Sequence, residues 1–236
     1  MNKELSVVIL CYKAGEQLYD YVKEVRRLLV DLRITWEIVL VANYLKGSND
    51  QMPKIASDIA SKNENIVTVI LPKQGMMGWD ARSGLDKADA QYLCLIDGDG
   101  QMPAEDIVRV YNKIKREGLD FVSTYRAKRY DSFIRTANSY IYNMIFRILF
   151  PGAGLRDVNS KPKIFKKSAY KRMHLMSDDW FLDAELVIHC IKLKLKVGQV
   201  ATSFYKCAYR RSLVKPGTIF EFIKNLIIAR LGRVFK

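Results

Sequence analysis

Three side chains that can supply oxygen ligands, those of Asp97, Asp99 and Gln101, stand at alternate positions in the sequence. The apolar run 93–96 that precedes them predicts a buried strand, which would deliver all three to the edge of a sheet. Carboxylate and amide oxygens suit a hard divalent cation such as Mg²⁺ or Mn²⁺. A cation held by one or two carboxylates can bridge a diphosphate and stabilise it as a leaving group. We therefore expect a metal site with Asp97, Asp99 and Gln101 as its ligands.

Other interpretations of this segment stay open. Asp-Gly-Asp-Gly after a strand is also ordinary turn chemistry, with the acids facing water. A calcium-binding loop is disfavoured, because its spacing requires Glu where the sequence has Val108. Strand-Asp-x-Asp-Gly also opens the haloacid-dehalogenase-type phosphatases. Those enzymes usually carry Thr where Gln101 stands, and their motif lies near the start of the chain.

Strands and helices are predicted to alternate along the chain. Short β-branched runs indicate strands buried on both faces, and apolar residues at helical spacing indicate helices between them. This order predicts βαβ units and therefore an α/β fold, with a Rossmann-like, mostly parallel central sheet flanked by helices. The predicted strands are 5–10, 37–42, 66–71, 93–97, 119–125, 164–165 and 197–204. The predicted helices are 15–31, 52–61, one that closes at 84–88, 103–118, 138–150, 180–195 and 218–236.

The carboxyl ends of parallel strands form the edge at which such sheets bind ligands. Asp97 and Asp99 lie at such an end, and so do segment 11–13 and Asn43. We therefore expect these residues to belong to one site. Segment 126–135, which follows another strand, is polar and basic and is predicted to be a loop.

The composition and charge are those of a globular protein with an anionic partner. A length of 236 residues with 49% hydrophobic and 27% charged residues predicts one domain. Residues 1–110 carry a net charge of −3, from 13 basic and 16 acidic residues, whereas residues 111–236 carry +17, from 26 and 9. Nucleic acid, an anionic membrane surface and a phosphorylated substrate all fit the basic half. Four cysteines without pairing or metal-ligand spacing, and an N-terminus that leads directly into a strand, predict a cytoplasmic protein with reduced thiols and no signal peptide.

Two segments have the composition of helices that lie in a membrane interface. Segment 138–150 is apolar almost all round but too short to span a bilayer, which needs about 20 residues. Segment 216–236 predicts a basic amphipathic helix, a type that commonly lies in the interface. We therefore expect one main domain over 1–215, an interface helix over 216–236, and a second candidate interface helix over 138–150.

Several segments taken together resemble a family-2 glycosyltransferase with the GT-A fold. They are closest to the polyprenyl-phosphate sugar transferases of the dolichol-phosphate mannose synthase type. The resemblance covers roughly residues 4–215 and rests on LSVVILCYK, EIVLVAN and KQGMMGWDARSGLDKADAQYLCLIDGDGQMPAEDI. Two stretches depart from the family pattern. Cys11–Ala14 lacks the acid of the family's opening turn, and Ala42 and Asn43 stand where an Asp-Asp pair usually helps to hold the nucleoside.

The resemblance implies that the Asp-x-Asp pair and the Gln hold the metal and the diphosphate of a GDP- or UDP-linked sugar. Glycines at positions 75 and 78 would let the backbone approach the donor, and the arginine at position 82 would reach a phosphate. The donor-binding positions implied in this way are Cys11, Tyr12, Asn43, Lys73, Gly75, Gly78, Arg82, Asp97 and Gly98.

The same resemblance implies acceptor and catalytic positions in the basic half. Asp157–Lys161 resembles the family's Asp-x-x-Ser-Gly-Phe loop, with Lys161 and Pro162 in place of its last two residues. The positions implied for acceptor or phosphate binding are Arg126, Arg129, Arg135, Asn138, Ser160, Arg210, Arg211 and Lys215. The candidate catalytic acids are Asp99, Asp183 and Glu185. An acid near the last two serves as general base toward hydroxyl acceptors, whereas a phosphate acceptor is already ionised.

The resemblance thus implies an inverting, metal-dependent transferase that moves a sugar from a nucleoside-diphosphate sugar to a polyprenyl phosphate. We expect it to act as a peripheral protein on the cytoplasmic face of a membrane. A transferase that elongates a lipid-linked or surface glycan is the close alternative, and a non-catalytic nucleotide-sugar- or membrane-binding module is an alternative of another class. Nucleic acid is not expected, because no recognition motif is present and the basic residues interleave with apolar stretches. Whether the protein acts alone or with a membrane-spanning partner protein is left open by the sequence.

Overall fold

The computed structural model describes residues 3–152, 154–206 and 218–231. Within them one sheet is formed by the strands β1 (Lys3–Leu10), β2 (Trp36–Val41), β3 (Ile66–Val69), β4 (Ala90–Asp97), β5 (Phe121–Arg129), β6 (Lys163–Lys166) and β7 (Val197–Phe204). The helices are α1 (Leu18–Asp31), α2 (Met52–Ser61), α3 (Met77–Lys87), α4 (Glu105–Arg116), α5 (Phe133–Leu149), α6 (Lys167–Tyr170), α7 (Leu182–Lys192) and α8 (Thr218–Arg230).

The strand order across the sheet is β3-β2-β1-β4-β6-β5-β7. Parallel pairs join β1 to β2 and to β4, β2 to β3, and β5 to β7. The strand β6 runs antiparallel to both of its neighbours, β4 and β5. The sheet is therefore mostly parallel and flanked by helices, which confirms the α/β fold class predicted from the sequence.

The central strands are buried because helices cover both faces of the sheet. Along β1, Val7 and Ile9 pack into the cluster that contains the apolar residues of α1, α2 and α4. The alternate residues Val8 and Leu10 pack into the cluster that contains those of α3, α5 and α7. A strand covered on both faces needs apolar side chains at every position, which explains the continuous β-branched runs of the sequence.

The antiparallel strand β6 brings a distant part of the chain to the end of β4. It pairs with β4 so that Lys163 lies opposite Leu95, two residues before Asp97. The residues that immediately precede β6 therefore lie beside the carboxyl end of β4. This placement depends on sheet pairing and was not predicted from local sequence.

The segment 126–135, predicted as a loop, is largely regular structure. β5 continues to Arg129 because it pairs with β7 along its length, with an irregularity between Arg126 and Lys128. α5 then begins at Phe133, and its N-cap residue Ser132 accepts a hydrogen bond from the backbone N–H of Arg135 at 3.4 Å. The loop itself is thus limited to the residues between β5 and α5. The arginines of segment 126–135 lie on the two regular elements that flank it, Arg126 and Arg129 on β5 and Arg135 on α5.

None of the helices in the described ranges is both long and apolar enough to cross a membrane. α5 and α8 pack against each other, with the rings of Tyr142 and Phe222 5.8 Å apart. Cys11, Cys94 and Cys190 are buried free thiols, as expected, and Cys207 lies outside the described residues.

Candidate functional site

The carboxyl ends of β1, β2 and β4 meet at one edge of the sheet. Leu10 pairs with Val41 on one side and with Asp97 on the other. The residues that follow these strands, among them Cys11 and Asn43, therefore come together with the acidic segment, as the sequence predicted. A ligand bound beyond this edge would meet residues from three separate parts of the chain.

Asp97 and Asp99 present two carboxylates at this edge. The side chain of Asp97 is 39% exposed. Asp99 is half-buried, and its Oδ1 accepts a hydrogen bond from the backbone N–H of Gln101 at 3.1 Å. Gly98 lies under the turn, where a Cβ atom would come within 2.9 Å of Ile9 Cγ2. A glycine at that position therefore lets the acidic turn sit directly on the end of β1.

Gln101 ties the acidic turn to the end of β7. Its side-chain amide nitrogen donates to the backbone carbonyl of Tyr205 at 2.8 Å, and the backbone N–H of Tyr205 donates to the carbonyl of Gln101 at 2.9 Å. The ring of Tyr205 stacks on that of Tyr130, with centroids 5.4 Å apart. Gln101 thus fixes the acidic turn in place. Its side-chain oxygen is the atom that could serve as a metal ligand.

Lys161 reaches the acidic turn from the loop before β6. Its buried ammonium lies 3.2 Å from Oδ1 and 3.3 Å from Oδ2 of Asp97, and 3.4 Å from Oδ2 of Asp183. Lys163 lies 2.7 Å from the other oxygen of Asp183. Burial lowers the pKa of Lys161, but the charges of Asp183 and Asp97 outweigh it, so that its pKa is raised overall. The four side chains form an alternating row of acids and lysines that ends at Asp97.

The oxygen atoms at this edge suit a divalent cation that takes further oxygens from a ligand. Across the described residues there is no group of three or more His, Cys, Asp or Glu side chains that could hold a metal ion. Asp97, Asp99 and the amide oxygen of Gln101 are hard oxygen ligands of the type that Mg²⁺ and Mn²⁺ take. Mg²⁺ is usually held by one or two carboxylates with the rest of its ligands from water and substrate phosphates. The donor set therefore suits a cation that is bound along with a diphosphate.

Several predicted donor-binding residues are occupied by bonds within the protein. Asn43 is buried, donates to Asp80 and Ser83 at 3.0 Å each, and accepts from the backbone N–H of Leu71 at 2.9 Å. Lys73 forms a buried ion pair with Asp80. Asn43 therefore stabilises the connection between β2, β3 and α3, where sequence reasoning expected it to contact a nucleoside.

The ring of Tyr12 and the thiol of Cys11 differ in their access to the edge. The ammonium groups of Lys73 and Lys13 lie 4.3 Å and 5.4 Å from the centroid of the Tyr12 ring, which is half-buried. The thiol of Cys11 is buried and lies 3.3 Å from the carbonyl oxygen of Ile9. Burial raises the pKa of Cys11. Tyr12 and the exposed Lys13 are thus the residues of this turn whose side chains a ligand could reach, whereas Cys11 is enclosed.

Gly75 and Gly78 have a different role from the one predicted. A Cβ atom on Gly78 would lie 2.5 Å from the carbonyl oxygens of both Ser177 and Asp179, and one on Gly75 would lie 2.7 Å from Cβ of Asp178. The close approach that these glycines permit is therefore to the protein's own segment 177–179. Arg82 holds the same segment, because its guanidinium contacts the Leu175 carbonyl at 3.0 Å and Asp178 at 2.8 Å.

Three predicted phosphate-binding arginines converge on one aromatic ring. The guanidinium carbons of Arg126, Arg129 and Arg135 lie 5.4, 5.3 and 5.7 Å from the centroid of Phe204, at the end of β7. β5 carries the first two and α5 carries the third. The cluster lies close to the acidic turn, since the backbone of Tyr205, the next residue, bonds to Gln101. The three arginines implied as phosphate-binding positions thus lie in one cluster.

The acids near these arginines leave one positive charge in excess. Arg126 pairs with Asp157 through two hydrogen bonds of 2.6 and 2.8 Å, and Arg129 pairs with Asp131 through two of 3.0 and 2.6 Å. Arg135 shares Asp131 at 3.6 Å and is 40% exposed. Burial lowers the pKa of Arg135, and Asp131 and Asp99 oppose that shift. Arg135 is therefore the arginine of this cluster most available to an anion near Asp99.

The remaining acceptor positions fall into three groups. Ser160 is fully buried, with its hydroxyl 2.7 Å from that of Thr124, so it supports the loop before β6. Asn138 lies half-buried on α5, on the helix that carries Arg135. The other three positions lie outside the described residues: Arg210, Arg211 and Lys215.

The candidate catalytic acids of α7 are held in internal bonds. Glu185 is fully buried and accepts the backbone N–H groups of Met176 and Ser177 at 2.8 and 2.9 Å. Asp183 is buried and pairs with the two lysines described above. This geometry does not favour the prediction that either acid serves as a general base. Asp99 is the candidate catalytic acid that lies on the open edge.

Sequence reasoning missed several residues that act by pairing with other charged side chains. Asp157 and Asp131 neutralise the arginines, and Lys163 completes the row of charges behind Lys161. Lys161 did carry a signal, because it replaces the glycine of a loop that is otherwise similar to the family pattern. Phe204 carried none, since an aromatic residue at a strand end is most often part of the core.

The chain belongs to a family of sugar-transferring enzymes. The sequence model described as Glycosyl transferase family 2 matches residues 6–176. An undecaprenyl-phosphate 4-deoxy-4-formamido-L-arabinose transferase from Pectobacterium atrosepticum is 32% identical over 176 residues, which are 73% of this chain and 52% of the relative. One from Salmonella choleraesuis is 28% identical over 145 residues, 61% of this chain and 43% of the relative. The chain thus spans about half the length of the curated relatives it matches.

Solved structures agree with the GT-A fold. Glucosyl-3-phosphoglycerate synthase from Mycobacterium tuberculosis, in complex with Mn²⁺, uridine diphosphate and phosphoglyceric acid, is similar with a TM-score of 0.71 and 16% identity, over 98% of this chain and 79% of that one. The same synthase with Mg²⁺ and uridine diphosphate also gives a TM-score of 0.71 and 16% identity, over 98% and 80% of the two chains. At this identity the likeness establishes the fold.

We predict that the Arg126–Asp157 ion pair makes the free energy of unfolding depend on pH in the acid range. Burial would raise the pKa of Asp157, but Arg126 outweighs it and lowers the pKa to about 2. Since the unfolded value is about 3.9, the pair stabilises the fold above about pH 4 and loses that contribution as the pH falls toward 2. We expect Asp157→Asn to lower the free energy of unfolding at pH 7 by roughly 3 kcal/mol and to flatten its decline between pH 4 and 2, as measured by urea denaturation.

Asp31→Asn is the matched control, because Asp31 forms an exposed pair with Arg27. Such surface pairs contribute about 0–1 kcal/mol. An Asp157→Asn protein with the stability and acid profile of the control would contradict the structural role of this pair.

Proposed function

We propose that this chain transfers a sugar from a nucleoside-diphosphate sugar, UDP- or GDP-linked, to a polyprenyl phosphate, with a divalent cation and at a membrane surface. The observation that carries the proposal is the juxtaposition of two accessible carboxylates, Asp97 and Asp99, with an arginine cluster that has one excess positive charge. The family supports sugar transfer, and the relatives described above are transferases named for undecaprenyl phosphate.

In this proposal the carboxylates act on the donor diphosphate through the cation, and the arginines act on the acceptor phosphate. Asp97, Asp99 and the side-chain oxygen of Gln101 would hold Mg²⁺ or Mn²⁺. The cation, when bound, supplies neutralisation of the charge that develops on the departing diphosphate. Arg135, with Arg129 beside it, would hold the phosphate of the acceptor on the other side of the sugar. Arg126 donates two hydrogen bonds to Asp157, and we propose that it orients the other two arginines of the cluster.

The internal bonds of Asp183 and Glu185 favour a phosphate acceptor over a hydroxyl acceptor. A hydroxyl must lose its proton during the attack and needs a general base within hydrogen-bond reach. A phosphate is already ionised at neutral pH and needs none. Because both acids of α7 are buried and engaged, the described part of the site fits an acceptor that brings its own oxyanion. A glycan hydroxyl as acceptor remains the competing candidate, with Asp99 as its base.

The reaction that follows is a single displacement. An oxygen of the acceptor phosphate forms a bond to the anomeric carbon, and the bond from that carbon to the donor diphosphate breaks. The electron pair of the broken bond leaves on the diphosphate, and the configuration at the anomeric carbon is inverted. The chain's own residues orient the two phosphates in line and limit their mutual repulsion, which is how positioned groups reduce such a barrier.

An apolar face of α5 supports a position at the membrane surface. Its large exposed side chains recur at spacings of three, four and seven, which places them along one side of the helix. They are Phe133, Ile134, Tyr140, Ile141, Met144 and Ile148. Exposed basic residues occur on the same pair of packed helices, among them Arg147 on α5 and Lys224 and Arg230 on α8. Apolar side chains with basic neighbours are attracted to an anionic lipid surface.

The transfer reaction is tested by product analysis. We expect the protein to move a labelled sugar from one of a panel of UDP- and GDP-sugars to undecaprenyl phosphate when Mg²⁺ or Mn²⁺ is present. Asp97→Asn and Asp99→Asn should each reduce the rate by about 10²–10³-fold, as loss of one group that stabilises transition-state charge does elsewhere.

Asp89→Asn is the control, since Asp89 is an exposed acid at the opposite end of β4. Undiminished transfer in the Asp97 and Asp99 variants would contradict the proposed site. No transfer from any donor, with no change in melting temperature on adding UDP or GDP with metal, would favour a non-catalytic module. Transfer to a glycan hydroxyl but not to polyprenyl phosphate would favour the competing acceptor.

The membrane position is tested separately by vesicle sedimentation. Phe133, Ile134 and Ile148 are 85%, 69% and 71% exposed. Because insertion of each such side chain contributes about 1.5–3 kcal/mol, we expect the triple serine variant to bind phosphatidylglycerol vesicles at least about 100-fold more weakly than the unaltered protein. The control is Val30→Ser, at a 54% exposed apolar residue on α1. Equal vesicle binding by the triple variant would refute the assignment of this face.

A further inference from the structure

We propose that Lys161 makes cation binding at Asp97 and Asp99 depend on the donor diphosphate. This inference rests on the proposed function for the identity of the ligand. In the described structure the ammonium of Lys161 is the cationic group in contact with Asp97, and it lies at nearly equal distances from both carboxylate oxygens, 3.2 and 3.3 Å. Neither oxygen of Asp97 is therefore remote from a positive charge.

The ammonium of Lys161 is also held by groups other than Asp97. The Lys161 side chain is 5% exposed, and its Nζ also contacts Asp183 at 3.4 Å and Met77 Sδ at 3.8 Å. Asp183 is itself held by Lys163, whose ammonium donates to the Ser160 carbonyl at 2.8 Å. These contacts hold the Lys161 ammonium beside Asp97 when another cation approaches.

A divalent ion on Asp97 must be close to this fixed charge. Metal–oxygen distances for Mg²⁺ are about 2.0–2.1 Å, so an ion on either oxygen would lie at most roughly 5 Å from the Lys161 nitrogen. Two positive charges at that distance repel each other in a partly buried site. The ammonium of Lys161 offsets part of the negative charge that Asp97 presents to the ion.

The donor diphosphate restores the missing negative charge. Its oxygens supply further ligands to the ion and offset the repulsion from Lys161. We therefore expect the ion to bind weakly to the protein alone and strongly in the presence of the nucleotide, and the nucleotide to gain the same factor from the ion. A lysine that merely joined β4 to α7 would leave this coupling unchanged on its removal.

The test is direct measurement of Mn²⁺ binding by electron paramagnetic resonance and calorimetry, with and without UDP or GDP. For the unaltered protein we expect Mn²⁺ to bind at least 10-fold more tightly with one of the nucleotides. We expect Lys161→Met to bind Mn²⁺ at least 10-fold more tightly than the unaltered protein when no nucleotide is present, and to show a smaller gain from the nucleotide. Lys167→Met, which removes a half-buried lysine just beyond the other end of β6, should behave like the unaltered protein.

Unchanged or weaker Mn²⁺ binding in a folded Lys161→Met protein would overturn the inference while leaving the proposed function intact. If that variant does not fold, Lys161→Gly removes the same charge and is read in the same way. Tight Mn²⁺ binding by the unaltered protein that neither nucleotide improves would overturn it without any variant. No Mn²⁺ binding with or without either nucleotide would overturn both the inference and the proposed metal dependence.

Discussion

The buried row of charges Asp97–Lys161–Asp183–Lys163 is the interaction on which the candidate site depends. It joins the end of β4 to the loop before β6 and to the start of α7, three parts of the chain that are distant in sequence. A buried charge left without its partner is strongly unfavourable, so each member of the row constrains the next. The row therefore fixes the orientation of Asp97, which is its end exposed to the open edge.

The open part of the site consists of the charged groups that still reach the surface. Asn43, Lys73 and Arg82 are engaged with the protein's own chain, and so are both acids of α7. Asp97, Asp99 and Arg135 are partly exposed at this edge, and they are the charged groups that a ligand would meet there. The result is a small acidic edge beside a basic cluster, which matches a metal-bound diphosphate next to a second phosphate.

Much of the fold followed from local sequence, and so did the meeting of three strand ends at one edge of the sheet. Buried β-branched runs alternate with amphipathic helices, and parallel strands bring their carboxyl ends to one edge, so that segment 11–13, Asn43 and Asp97 were expected to meet. The extension of β5 to Arg129 was not expected, because pairing with β7 outweighs the polar character of its last residues. The partners of the charged side chains also escaped prediction. Asp157 lies 31 positions from Arg126 and Lys161 lies 64 from Asp97, and no local pattern encodes such pairs.

The central claim is that a cation and a nucleoside diphosphate bind together at the Asp97–Asp99 edge. It is tested most directly by a crystal structure of the protein with Mn²⁺ and UDP, and in parallel with GDP, using the anomalous scattering of manganese to locate the ion. The account predicts an anomalous peak within about 2.5 Å of a carboxylate oxygen of Asp99 or Asp97, with the diphosphate on its outer side, toward the arginine cluster. Nucleotide bound elsewhere, or a manganese peak with no contact to either aspartate, would contradict it.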